Sequence, residues 1–358
     1  MYIELKALKE KESSMNVLIT GGCGLIGFNA AQYYAQKGNT VDVMDNLERS
    51  DLLGHRVSEE RRTFNSRALK EIGVRVHHYD VSKREDWINF DGHDLIIHLA
   101  GQCGVPCSIE NPRRDWEVNA NGTFHGLEYA RQHDATFIFA STNKVYPIHD
   151  AFVRNDDDTR WHFMNSQWEV CGVGLAAEGL AGSRTPYGAS KYSADILCQE
   201  YAHTYGLKTG VFRMSCIYGP NQFGFAEQGW ATWFIIATLK GWPITIYGDG
   251  CQVRDMLYVE DCVKAYDAFH RSKQKHGVYN LGGGVKYTLS LNECLDTLEE
   301  ITGKRSKVTF EDWRPSDQKI YTSDLERVKA HIMWAPTIPP KAGLMLTHEW
   351  VTDNLDIF

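Results

Sequence analysis

Tyr187 and Lys191 stand four residues apart in the stretch PYGASK, at the head of a segment with helical spacing that runs to Gly206. That spacing puts both side chains on one helix face. A phenol with its ordinary pKa of about 10 is a poor base at neutral pH. An adjacent ammonium favours the phenolate and lets it take a hydroxyl proton. A third group comes from STNKVY, where Thr142 follows a predicted strand with a hydroxyl able to hold a substrate oxygen in line. Thr142, Tyr187 and Lys191 are the expected catalytic set. Tyr-x-x-x-Lys alone is a common accident of a solvated helix face, so the assignment needs a second motif.

The stretch TGGCGLIG supplies one. Gly21, Gly24 and Gly27 form G-x-x-G-x-x-G between a short apolar run, 17–20, and a helical segment, 29–37. Without Cβ atoms the first two let the chain turn sharply and approach a pyrophosphate, while the helix start, with Leu25 and Ile26, offers free N–H groups. A second strand, TVDVMD, ends in Asp45, eighteen residues past Gly27, where a carboxylate binds the ribose diol of a dinucleotide, with Asn46 beside it. The same carboxylate repels a 2′-phosphate, so NAD is expected over NADP, although Arg49 lies close by. Its positive nicotinamide ring would join Lys191 in favouring the phenolate. Asp80 and Val81 end a further strand at an adenine position. HLAGQ ends the next, placing Leu99, Ala100 and Gly101 against the cofactor and Gln102 toward a substrate. His98 reads as a core histidine.

The elements that must position these groups alternate. Strand-like runs at 17–20, 40–44, 75–79, 95–99 and 136–140 are separated by helical stretches. Continuous apolar strands of this kind form a parallel sheet covered on both faces. The fold class is α/β, a doubly wound, Rossmann-type sheet with a smaller C-terminal substrate domain. The segment 150–184, with an acidic cluster at 156–158, breaks the rhythm and reads as a long surface loop placed to cover a site. The expected division is an N-terminal extension 1–14, a dinucleotide-binding domain 15–220 to which 256–283 returns, and a substrate domain 221–358.

Composition excludes several classes. A chain of 358 residues with 43% hydrophobic content can bury a large core in two lobes, and a net charge of -8 argues against a nucleic-acid partner. No apolar run is long enough to span a bilayer, and residues 1–14 lack a signal-peptide core. Nine cysteines, an odd count, fit free thiols in a reducing, cytoplasmic setting. Cys103 and Cys107 have no second pair with which to hold zinc, so no metal is expected. A homo-oligomer is the expected assembly.

From Met15 to about residue 330 the chain resembles the extended short-chain dehydrogenase/reductase family, which acts largely on nucleotide-linked sugars. The glycine turn, the strand-end hydroxyl, Tyr-x-x-x-Lys, YGP and RDMLYVED occur in the family's order. STNKVY, FRMSCIYGPNQFG, EQGW and GDGCQVRDMLYVED are similar to its CDP-paratose 2-epimerase (CDP-tyvelose 2-epimerase) branch, with Cys251 where that branch has lysine. The resemblance implies a tightly held NAD and inversion of C2 of a CDP-sugar. It also implies a nucleotide-sugar site built from Gln102, Thr142, Asn143, Ser215, Gln228, Gly229 and Trp230, with Arg254 and Arg314 on the diphosphate. Trp233 and Phe234 read rather as core. Sugar 4,6-dehydratases carry an Asp-Glu pair where this chain has Asn143 and Lys144, and asparagine cannot exchange a proton, so dehydration is disfavoured. The rivals are a 4-epimerase, a nucleotide-sugar reductase or dehydrogenase, and an NAD(H)-sensing interaction protein. The intact Thr142–Tyr187–Lys191 set speaks against the last.

Overall fold

The computed structural model describes residues 14–52, 54–147, 153–155, 159–177, 179, 182–314 and 317–358. Nearly all of the N-terminal extension and the acidic cluster 156–158 lie outside the described residues. Seven strands form the main sheet: β1 (Asn16–Thr20), β2 (Thr40–Met44), β3 (Arg75–His77), β4 (Leu95–His98), β5 (Thr136–Thr142), β6 (Thr209–Met214) and β7 (His276–Leu281). They lie in the order β7-β6-β5-β4-β1-β2-β3. Every neighbouring pair is parallel. The doubly wound α/β expectation holds.

Alternate residues of the same strands face opposite cores, as the two-residue strand period requires. Val17, Ile19, Ile97, Ile138 and Phe212 enter one fully buried cluster. Leu18, Ile96, Phe137, Phe139 and Val211 enter the other. Helices therefore cover both faces, and the sheet order reverses between β1 and β4, where such sheets open a ligand crevice. The helix after β1 runs Leu25–Gln36, earlier than the expected 29–37, because the turn is complete at Gly24, its N-cap.

A second lobe packs helices Trp230–Lys240, Leu291–Thr302 and Pro340–Asp353 around Tyr218, Phe234, Ile235, Ile244, Leu295 and Leu344. Phe234 belongs to that core, and Trp233 packs against it. Strand Val253–Tyr258 links the lobes, pairing with Cys216–Tyr218, Thr288–Ser290 and Ile320–Tyr321.

The described residues of the loop expected to cover a site make their contacts away from the cleft. None of the described residues between 153 and 179 lines the cleft. Trp161 donates its indole N–H to Asp249 Oδ2 at 3.0 Å and its backbone N–H to the Cys251 carbonyl at 3.0 Å. Arg160 pairs with Glu293 at 2.8 Å, and the Val173 N–H donates to Thr322 O at 2.8 Å. The indole and guanidinium find partners on the flank of the second lobe, so the excursion ties the lobes together from the side. Cys251, the departure from the 2-epimerase pattern, is buried beneath this contact and does not line the cleft.

Candidate active site

A cleft of about 820 Å³ opens at the C-terminal ends of the sheet strands between the lobes. Every residue named above as a catalytic, cofactor or substrate candidate lines it. On the floor, Gly21 has φ +67, and a Cβ there would lie 2.7 Å from Ala100 N. A Cβ on Gly27 would strike Gly21 O. These close approaches leave no room for side chains and keep the helix start at Leu25 open to the cleft. Asp45 accepts N–H bonds from Cys23 at 2.9 Å and Leu47 at 2.8 Å, which fixes its carboxylate at the end of β2. Arg49 points elsewhere. Its guanidinium donates to Phe223 O at 2.8 Å and to Gln228 Oε1.

Asp80 receives Arg114 at 2.7 Å and Ser82, while Asn46 donates to Glu48 at 3.0 Å; both side chains belong to one polar cluster at the cleft edge. His98 is fully buried, with Nδ1 2.9 Å from Thr20 Oγ1, and burial lowers its pKa to about 3. It is a neutral core residue. Thr20 Oγ1 also accepts the Ala100 N–H at 3.2 Å, which steadies the loop over Gly21.

The catalytic wall is aligned by a buried ion pair. Helix Thr185–Tyr205 carries Tyr187, Lys191 and Asp195. Asp195 accepts two bonds from Arg213 of β6, at 2.9 and 3.0 Å, and one from Ser141 of β5 at 2.6 Å. Both partners of the pair are fully buried, and breaking such a pair costs about 3–5 kcal/mol. The helix is thus fixed against β5, at whose end Thr142 shares the cleft wall with Tyr187. Lys191 is buried, with Nζ 4.2 Å from the Phe139 ring centroid.

One electrostatic expectation fails in the chain alone. Desolvation pushes the Tyr187 phenol above its usual range, and Lys191 is not among the charges that offset this, although the nearby Thr142 hydroxyl works in the lowering direction. Burial also lowers Lys191, to about 8. The low-dielectric wall penalises both charged forms.

Across the cleft the substrate candidates are already engaged. Gln102 folds back, its Nε2 donating to Gly104 O at 2.9 Å. Asn143 donates to Gln318 at 3.3 Å and Ser215 to the Asp255 carbonyl at 3.3 Å. Gly229, at φ +82, starts the helix led by Trp230, whose ring meets Phe234 edge-on at 5.5 Å. Arg254 pairs with Asp317 at 2.9 Å. Arg314 lies 3.9 Å over the Tyr247 ring and donates to Ala226 O at 3.2 Å.

Residues 17–282 match the model of the NAD dependent epimerase/dehydratase family, well over half of the chain. The chain belongs to this family. It is 33% identical to the CDP-paratose 2-epimerase of Salmonella typhi over 94% of this chain and 99% of that one. It is 28% identical to the UDP-glucuronate 4-epimerase of Thermodesulfobacterium geofontis, over 95% and 97%. The UDP-glucose 4-epimerase of Thermus thermophilus, solved in complex with NAD, superposes with a TM-score of 0.74 at 28% identity, covering 94% of this chain and 99% of that structure.

For an NAD dependent epimerase/dehydratase the floor fits its cofactor. The cradle that Cβ atoms on Gly21 and Gly27 would fill accepts a pyrophosphate, and Asp45 faces the place of the ribose. Arg49 donates to Phe223 O and Gln228 of the opposite wall, and the Asp45 carboxylate opposes an added phosphate. Sequence reading passed over Asp317, Tyr247 and Cys103 on the cleft, and Asp115 and Asn119 behind it. Asp317, three residues after Arg314, had a signal in its spacing. Asp115 had none, because its place depends on a turn of π-helix at Glu117–Asn121.

Proposed function

We propose that this family member is a nucleotide-sugar epimerase that inverts C2 of a CDP-sugar through a 2-keto intermediate. The observation that carries the reading is the Thr142–Tyr187–Lys191 wall with Asn143, not a carboxylate, beside Thr142. NAD held by the Gly21–Gly27 turn and Asp45 would supply a reversible hydride acceptor and a positive charge beside Tyr187. Tyr187 takes the proton of the sugar hydroxyl and later returns it. Thr142 holds that oxygen in line, and Lys191 keeps a positive charge behind the pair. Asn143 cannot remove a carbon-bound proton, which disfavours elimination. The choice of C2 and of CDP rests on the likeness to the Salmonella relative. A 4-epimerase with a differently seated sugar is the second reading, favoured by the T. geofontis likeness.

The cleft volume lies within the range of small-ligand sites and leaves room for a keto sugar to present its other face. Arg254 and Arg314 are proposed on the diphosphate, and Gln102, Asn143, Ser215, Gln228, Gly229 and Trp230 around base and sugar. We further propose the division into 15–220 with 256–283 and 221–358, and a cytoplasmic homo-oligomer. Exposed Trp116, Phe124 and Ile196 on adjoining helices support the assembly. Among the described residues no helix is long and apolar enough to cross a membrane.

The test is turnover of CDP-, UDP- and GDP-sugars in heavy water, read by proton NMR. Inversion at C2 without deuterium on the inverted carbon is expected. Inversion at C4 would overturn the carbon assignment, and deuterium on the inverted carbon would overturn hydride transfer.

A further inference from the structure

Behind the catalytic wall lies a carboxylate that the chemistry above does not use. Asp115 is 1% exposed, on the short helix Pro112–Trp116 that runs straight into the π turn at Glu117–Asn121. Its Oδ1 accepts from Asn119 Nδ2 at 3.2 Å, and its Oδ2 from the Ser190 hydroxyl. Ser190 immediately precedes Lys191, and its hydroxyl also lies 3.0 Å from the Tyr187 carbonyl. Asn119 Nδ2 contacts Ser190 Oγ at 3.0 Å, and its Oδ1 accepts the Gln102 N–H at 3.0 Å. The carboxylate is therefore bonded by neutral donors that hold the backbone of the Tyr-x-x-x-Lys turn.

The surrounding charges are otherwise spoken for. Asp195, which also faces Lys191 from its own helix, is neutralised by Arg213. Arg114, next to Asp115, turns to Asp80 and Glu48. His98 is neutral, burial keeps Cys198 a thiol, and Cys103 also lies near Lys191. Among the described residues, Lys191 is the cation left to balance Asp115. We propose that Asp115 is a positioning residue that acts through Ser190 as the buried counter-charge of the Tyr187–Lys191 pair and sets the pH range in which the pair works. The proposal rests on the reading of Tyr187 as the base.

Burial pushes the Asp115 carboxyl up, while Ser190, Lys191 and Asn119 pull it down; as a carboxylate it holds protons on both partners, favouring ammonium on Lys191 and opposing phenolate on Tyr187. Removing it should move both titrations the same way, toward acid. A purely structural role would lower the height of a pH profile and leave its limbs in place.

The experiment compares the wild type with Asp115→Asn and Asp115→Glu, as purified with their NAD. Tyrosine is labelled at Cζ with carbon-13, and Tyr187→Phe identifies the Tyr187 resonance. The Tyr187 titration is expected to move down by about one pH unit in Asp115→Asn and to stay near the wild-type position in Asp115→Glu. Both limbs of kcat against pH should move with it. A folded Asp115→Asn protein whose Tyr187 titrates at the wild-type position or higher overturns the proposal. If Asp115→Asn does not fold, Asp115→Ser, smaller and also neutral, takes its place with the same expected result. The NMR titration needs no sugar, so a wrong substrate or carbon leaves it unaffected. A Tyr187→Phe enzyme with full turnover would instead sink the base assignment.

Discussion

The two walls of the cleft are made differently. The dinucleotide wall is built from backbone: Gly21 and Gly27 packed against neighbouring main chain, a helix start, and Asp45 pinned by two N–H bonds. The facing wall presents side chains that already have partners, Gln228 with Arg49 from across the cleft, Arg254 with Asp317 and Asn143 with Gln318. One wall is ready-made for a cofactor that stays. On the proposed reading the other would exchange partners as a substrate arrives, which suits a ligand that enters and leaves.

That contrast can be broken at several points. The largest effect is expected at the catalytic set: Tyr187→Phe should lower kcat on the order of a hundred- to ten-thousand-fold with little change in thermal unfolding, since only a hydroxyl at the cleft is lost. Near-normal turnover would remove Tyr187 from the chemistry. Next comes the backbone wall. Gly27→Ala forces a methyl into Gly21 O, and overpacking of about 1–3 kcal/mol should weaken NAD retention roughly ten- to hundredfold. Acid extraction of the wild type should release close to one NAD per chain and of the variant much less; equal yields would show that the cradle tolerates a side chain.

The side-chain wall should respond more gently. Arg254→Ala is expected to raise KM about tenfold with kcat nearly unchanged, because a charge-assisted bond to phosphate is lost in ground and transition states alike. Smallest of all, Asp317→Asn frees Arg254 from a partly exposed pair worth at most about 1 kcal/mol, so KM should fall no more than about fivefold. A rise in KM would mean that Asp317 itself holds the substrate.

The same contrast decides what the sequence could reveal. The backbone wall was legible because its rules are local: a glycine at each crowded position, an acid at the end of the second strand, and two side chains one helical turn apart. The sheet was legible for the same reason, since Leu18 and Ile19 must face opposite cores. The side-chain wall was legible only as a set of candidates. Nothing near Gln228 announces that Arg49, far away in the chain, will hold it, and nothing near Trp161 that its indole will reach Asp249. Asp115 was hidden because a helix of regular pitch would not run through the π turn that follows it.

The place of β7 has a consequence for how the protein is made. It pairs along its whole length with β6, yet most of the second lobe's first helix and strands lie between them in the chain. A nascent chain extended only to Arg271 therefore shows the ribosome's surroundings an open strand edge at Thr209–Met214, with its backbone groups unpaired on that side. The dinucleotide lobe cannot close as a finished unit while it waits for residues 276–281, so the second lobe's helix Trp230–Lys240 is made before the first lobe is complete.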